Sequence, residues 1–148
     1  MFYLNQPMFT NYYEFINNVQ RAIVDEIEAA KFYRELKKMA PSELHTENIQ
    51  HAIDDEVKHR NMLTQLYMVL TGRPPMVMGA PSSSCNIISE EYREGLLKAF
   101  HDELEAAEFY RSMLFSTTST PIRDILFEIM TDEMEHADRF ELLYADIS

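Results

Sequence analysis

One pattern occurs twice in this chain at a constant offset, and it leaves few folds open. Ala22 to Arg34 read AIVDEIEAAKFYR and Ala99 to Arg111 read AFHDELEAAEFYR, identical at nine of thirteen positions. At the same offset DEVKH (Asp55 to His59) matches DEMEH (Asp132 to His136), and Leu66-Tyr67 matches Leu143-Tyr144. A shared offset through both segments marks a duplicated helix pair. Each copy holds a glutamate, then a second glutamate at an identical separation, then a histidine three positions on: Glu26, Glu56 and His59, then Glu103, Glu133 and His136. Positions i and i+3 share one helix face, so each Glu-x-x-His pair points the same way. Four carboxylates and two imidazoles from four helices are the ligand set of a two-metal site inside a four-helix bundle. A lone Glu-x-x-His is a weak signal; its duplication at equal spacing is what carries the reading.

Breakers and caps divide the chain into four helices, an all-α fold. The first runs from about Tyr12 to Met39 and stops at Ala40-Pro41. Ser42 stands where it can cap the second, which runs to about Leu70 and ends at Thr71-Gly72. Ser89, with Glu90 and Glu91 at the positive end of the helix dipole, begins a third that reaches about Phe115. Ser116 to Thr120 form a loop, Pro121 fits the first turn of the fourth helix, and that helix reaches about Ala145. Pro41 lies midway along the chain between Glu26 and Glu56, and Thr118 lies midway between Glu103 and Glu133. Each antiparallel hairpin therefore brings its two glutamates to one level, roughly 22 Å from its turn.

The expected organisation is one domain over residues 1–148: a helix pair at 12–71, a crossover at 72–88 and a second pair at 89–146. The crossover, GRPPMVMGAPSSSCNII, has linker composition, but neither hairpin buries its apolar face alone. Seventeen extended residues reach roughly 55 Å, enough to span a helix of roughly 42 Å.

Net charge is −12, and no Lys/Arg cluster offers a basic face for a phosphate backbone, so nucleic acid is not an expected partner. At 46% hydrophobic residues the chain has material for a core. Cys85 is the single cysteine, which excludes an internal disulfide and a four-cysteine metal module; its PSSSC setting reads as an exposed thiol. The opening MFYLNQPMFTNYY lacks a charged, apolar leader, and no stretch has the length of a membrane span, so no membrane contact and a cytoplasmic location are expected.

The chemistry follows from the donor atoms. Glu26 and Glu103, arriving singly, are expected as terminal ligands, with Glu56 and Glu133 bridging and His59 and His136 giving one nitrogen to each ion. Such an oxygen-rich set suits two Fe ions, or Mn, rather than a closed structural zinc site, and leaves positions for dioxygen or peroxide. Tyr33 and Tyr110 follow a ligand glutamate by two helical turns; helical side chains lean toward the N-terminus, so each phenol is placed to donate to a carboxylate. An aspartate precedes every ligand glutamate (Asp25, Asp55, Asp102, Asp132) and is a candidate to accept the second N–H of a ligand histidine. Ala29, Ala30, Ala106 and Ala107 are expected to let helices approach closely around the metals. His45, His51 and His101 have no partner in the repeat and read as surface residues; Met62, Met113 and Met130 read as core filling.

Over roughly residues 12 to 146 the chain resembles the ferritin-like superfamily and, within it, the rubrerythrin-like di-iron proteins. The matching motifs are Glu26-x-x-Ala29-x-x-x-Tyr33 with Glu56-x-x-His59, and Glu103-x-x-Ala106-x-x-x-Tyr110 with Glu133-x-x-His136. The resemblance implies a ferritin-like bundle of two hairpins, a di-iron centre reacting with peroxide or dioxygen, and a homodimer or larger assembly. It departs in two places. A rubredoxin-type domain needs four cysteines and this sequence has one; and Ala106 stands where rubrerythrins place a further glutamate. The expected function is a di-iron oxidoreductase that oxidises Fe(II) or reduces peroxide or dioxygen, with an external electron donor. The alternatives are a non-catalytic iron-binding or iron-delivery protein and a manganese catalase-like protein.

Overall fold

The computed structural model describes residues 7–77 and 89–148. It contains four helices, α1 Tyr12–Lys37, α2 Glu43–Thr71, α3 Ser89–Phe115 and α4 Thr120–Asp146, packed as an all-α bundle of two antiparallel hairpins. The termini follow local chemistry. Asn11 caps α1 by accepting from the Glu14 N–H at 3.2 Å. The helix closes two residues earlier than expected, because Lys38, Met39 and Ala40 donate to carbonyls three residues back, a tighter winding. Ser42 occupies the N-cap of α2 without a side-chain cap bond, correcting the expectation; its carbonyl instead accepts from the Thr46 N–H and hydroxyl. Gly72 ends α2 at φ 71°, a left-handed turn open to glycine at little cost, and its N–H donates to the Met68 carbonyl. Pro121 lies in the first turn of α4.

Two apolar clusters make the core. Phe15, Val19, Ile23, Leu63, Met113 and Leu126 belong to one; Leu36, Ile49, Ile53, Leu96, Phe140 and Leu143 belong to the other. On each helix the duplicated glutamate falls between them, so the charged layer lies mid-bundle and buried. Beyond the hairpins, α1 packs on α3 and α2 on α4. Tyr12 donates to the Leu70 carbonyl at 2.6 Å, placing the end of α2 beside the start of α1. At the other end α3 lies so close to α1 that a Cβ on Gly95 would meet Leu36 Cδ1 at 2.6 Å. The connection from Gly72 to Ser89 therefore joins opposite ends of the bundle. Its first part returns along α1, where Met76 and Gln20 exchange two hydrogen bonds. Residues 78–88, with Cys85, and residues 1–6 lie outside the described residues.

His45 corrects the sequence reading. It is fully buried, with Nδ1 2.7 Å from the Tyr92 hydroxyl and Nε2 3.0 Å from Asp146 Oδ2. It ties the start of α2 to the start of α3 and the end of α4, through partners so far away in the chain that no local pattern reveals them. His51 and His101 are exposed, as expected. His45→Ala strands the buried Tyr92 hydroxyl, and we expect a loss of about 1–3 kcal/mol in urea unfolding. A change under a few tenths of a kcal/mol would mean the tie is not stabilising.

Candidate metal centre

The two hairpins bring Glu26, Glu56, His59, Glu103, Glu133 and His136 into one layer, each at most 4% exposed. Six buried ionisable groups are strongly unfavourable unless something compensates their charge. Their atoms form two overlapping groups, Glu26–Glu56–His59–Glu133 and Glu56–Glu103–Glu133–His136, within each of which the ligand atoms lie inside 4.8 Å of one another. Glu56 and Glu133 belong to both; Glu26 and Glu103 belong to one each.

The orientation of these atoms bears on what the layer holds. His59 Nδ1 lies 3.1 Å from Glu133 Oε1, 3.5 Å from Glu26 Oε2 and 3.6 Å from Glu56 Oε2. His136 Nδ1 lies 3.4 Å from Glu56 Oε1, 3.4 Å from Glu133 Oε2 and 3.5 Å from Glu103 Oε1. Yet both Nδ1 atoms, with Glu56 Oε1 and Glu133 Oε1, are buried without a hydrogen-bond partner among the described residues. Buried polar atoms are rarely left so. Four such atoms, each imidazole facing three carboxylates, fit a pair of cations, one against each histidine.

The surrounding groups fix the donors. Tyr33 donates to Glu103 Oε1 at 2.5 Å, and Tyr110 donates to Glu26 Oε1. Each phenol thus serves the glutamate of the facing helix rather than the one two turns before it. On the far side of each ring, His59 Nε2 is 2.9 Å from Asp132 Oδ2 and His136 Nε2 is 3.0 Å from Asp55 Oδ2. An Nε2–H donated to a carboxylate leaves the Nδ1 lone pair facing the centre. Asp25 and Asp102 do not take this role; they pair at the surface with Arg21 and Lys98.

Electrostatics matches a site built for positive charge. Burial, then the charges of Glu103 and Glu26, pushes Glu133 up to about 8. Burial, then Glu133 and Glu26, holds Glu56 well above the usual carboxylate range. Burial and the neighbouring carboxylates also raise both tyrosines. Burial works against charge on His59 and His136, but the carboxylates around them outweigh it and raise both. Glu103 is lowered: burial opposes this, and the polar neighbours Glu133 and His136, with the hydroxyl that Tyr33 donates, prevail.

Between α1 and α3 a cleft of about 920 Å³ leads from solvent to Glu26, Glu56, Glu103 and Glu133. Ala29 and Ala106 line it. Their shortness leaves a gap here instead of closing the helices, which corrects the expectation; Ala30 and Ala107 are buried. Arg21 stacks over Phe109 at 4.9 Å and Lys98 over Phe32 at 5.1 Å, bridging the cleft at duplicated positions. Sequence reasoning passed over Lys58, which contacts both Asp55 and Asp132; its one signal is that the repeat places Glu135 at the matching position.

No protein-family model matches the chain. The uncharacterized protein YhjR of Bacillus subtilis (strain 168) is 30% identical over 122 residues, 82% of this chain and 81% of YhjR. Among solved structures, a protein from Xanthomonas campestris superposes with a TM-score of 0.78 at 17% identity, covering 92% of this chain and 91% of that one. A structure described as ferritin-like, diiron-carboxylate proteins from Bacillus anthracis superposes with a TM-score of 0.72 at 17% identity, covering 93% of this chain and 99% of that one. Among the described residues no helix is long and apolar enough to cross a membrane. The chain belongs to the same family as Bacillus subtilis YhjR, and its fold is that of the ferritin-like proteins.

Proposed function

We propose that the buried layer is a di-iron carboxylate centre of rubrerythrin-like type, oxidising Fe(II) or reducing peroxide or dioxygen. The observation that carries the reading is the convergence of four unpartnered buried donor atoms, two imidazole and two carboxylate. The diiron-carboxylate description of the Bacillus anthracis structure supports iron. Glu56 and Glu133, common to both groups, would be shared between the two ions; Glu26 and Glu103 would each serve one, with one histidine nitrogen to each ion. Bound iron supplies one electron per ion to an oxidant, cycling between the ferrous and ferric states.

The protein's own part is to hold and to admit. Tyr110 fixes Glu26 by Oε1 and leaves Oε2 facing His59, while Tyr33 holds Glu103 by Oε1, the oxygen that also faces His136 Nδ1. Asp55 and Asp132 keep both rings in the tautomer that presents Nδ1. The cleft admits peroxide or dioxygen to the carboxylate face, opposite the histidine supports. Electrons beyond those stored in the metals come from a separate donor.

The test is anaerobic Fe(II) loading followed by peroxide under stopped flow. The expected result is two irons per chain and one peroxide consumed per pair of ferrous ions, with both oxygens leaving as water. Oxygen evolution from a manganese-loaded sample would instead identify a catalase. Iron uptake with no faster oxidation than free Fe(II) would leave a delivery protein.

A further inference from the structure

Lys58 stands on α2 beside His59 and reaches across to α4, the helix that carries His136. Its Nζ is 2.7 Å from Asp132 Oδ2 and 3.1 Å from Asp55 Oδ1, with Glu128 Oε1 at 3.5 Å. The Asp132 oxygen that takes the ammonium is the same one that faces His59 Nε2. Asp55 uses its other oxygen, Oδ2, for His136 Nε2 at 3.0 Å. Both aspartates are about one-fifth exposed, whereas Lys58 is 41% exposed.

Two carboxylates this close repel unless a cation lies between them. Ligand atoms of Asp55, His59 and Asp132 sit within 4.8 Å of one another, a grouping that by itself resembles a third metal site. The ammonium of Lys58 already supplies that cation. Lys58 also breaks the repeat. The matching residue on α4 is Glu135, which reaches away to Arg139 at 2.5 Å and to His51 at 3.6 Å. The two-fold likeness of the centre thus ends at its outer support: Lys58 serves both aspartates, and Asp55 alone also has His51 Nε2, 3.2 Å from its Oδ2.

We propose that Lys58 is a single positioning residue for both metal sites, coupling them through Asp55 and Asp132. The proposal rests on the two-metal reading of the layer and adds a device to it. With Lys58 present, each aspartate is held with an oxygen facing the opposite helix's imidazole. Without it, mutual repulsion turns both carboxylates toward solvent, and both rings lose the contact that orients Nδ1. Loss of one aspartate affects one ring; loss of the lysine affects both.

The experiment is anaerobic titration of metal-free protein with Co(II), followed by calorimetry and by the ligand-field bands of the bound ion. Wild type is expected to bind two ions. Asp55→Asn is expected to weaken the step that involves His136, and Asp132→Asn the step that involves His59. Lys58→Met is expected to weaken both steps, each by about ten- to a hundredfold, and Lys58→Arg to recover most of the loss. In the metal-free protein, ¹⁵N-imidazole spectra of Lys58→Met should lose the hydrogen-bonded Nε2–H signals of both histidines, with helix content unchanged. A structural role would lower the melting temperature and leave those signals in place. If wild type takes up two Co(II) and Lys58→Met binds them equally well, or loses a single step, the coupling role is overturned while the metal centre stands. If wild type takes up none, the metal reading falls and the proposal with it.

Discussion

Replacing Glu56 and Glu133 together by alanine is expected to take metal uptake from two ions per chain to none. The reason is geometric. Each of these carboxylates belongs to both groups of donor atoms, so the double variant leaves each imidazole with one carboxylate where there were three. Glu26→Ala is expected to behave differently, sparing the group built on Glu103 and His136. Elemental analysis of protein purified without added metal reads the first outcome, and anaerobic Fe(II) titration reads both. The second readout is thermal. A ligand that binds only the folded state at about a thousandfold above its Kd adds about 4 kcal/mol, on the order of 10 °C for a chain of this size. That metal-induced rise should be present in wild type and absent in the double variant. Retention of two ions by the double variant would remove these residues from the site.

The pH dependence of stability is expected to reverse sign on metal binding. In the metal-free protein Glu133 is pushed up to about 8 from an ordinary 4.5, and Glu56 is also raised. His59 and His136 are raised above an ordinary 6.5. A group whose folded value is raised binds its proton more tightly when folded. Its stabilising contribution is complete below the unfolded value and is lost as pH rises through the folded one. The glutamates and histidines therefore act in the same direction, and the metal-free melting temperature should fall from about pH 5 to about pH 8. The lowered groups, Asp55, Asp132 and Glu103, lose their contribution only on acidification, below that window. Metal competes with these same protons, so its binding tightens with pH and the loaded protein should become more stable over the same interval. Paired melting curves of metal-free and loaded protein across about pH 5 to 8 check this. Parallel slopes would show that the layer does not exchange protons for metal.

The parts of this centre that were legible in the sequence are those with a local or duplicated signature. Glu56 and His59 are read from spacing along one helix, and the repeat's constant offset carries them onto Glu133 and His136. Equal distances to the two turns place the four glutamates at one level, where the core divides into its two apolar clusters. The tyrosines were legible as donors but not in their pairing. Tyr33 bonds Glu103 and Tyr110 bonds Glu26, because the packing of α1 on α3 decides which glutamate each phenol meets. Asp55 and Asp25 look alike in the sequence, and only the neighbour differs: α4 brings His136 to the first, while the second faces Arg21 and water.

The sequence by itself determined the four helices, the duplicated donor set and its common depth, because helical period, caps and turn residues act within a few residues of chain. Tertiary structure alone decided what lies beside that set: His45 buried between Tyr92 and Asp146, the alanine gap that opens a cleft, and Lys58 shared by two aspartates. Those depend on contacts between residues on different helices, as far apart in the chain as His45 and Asp146. No pattern within one helix encodes them; they follow from which faces of the bundle meet when its apolar stripes are buried.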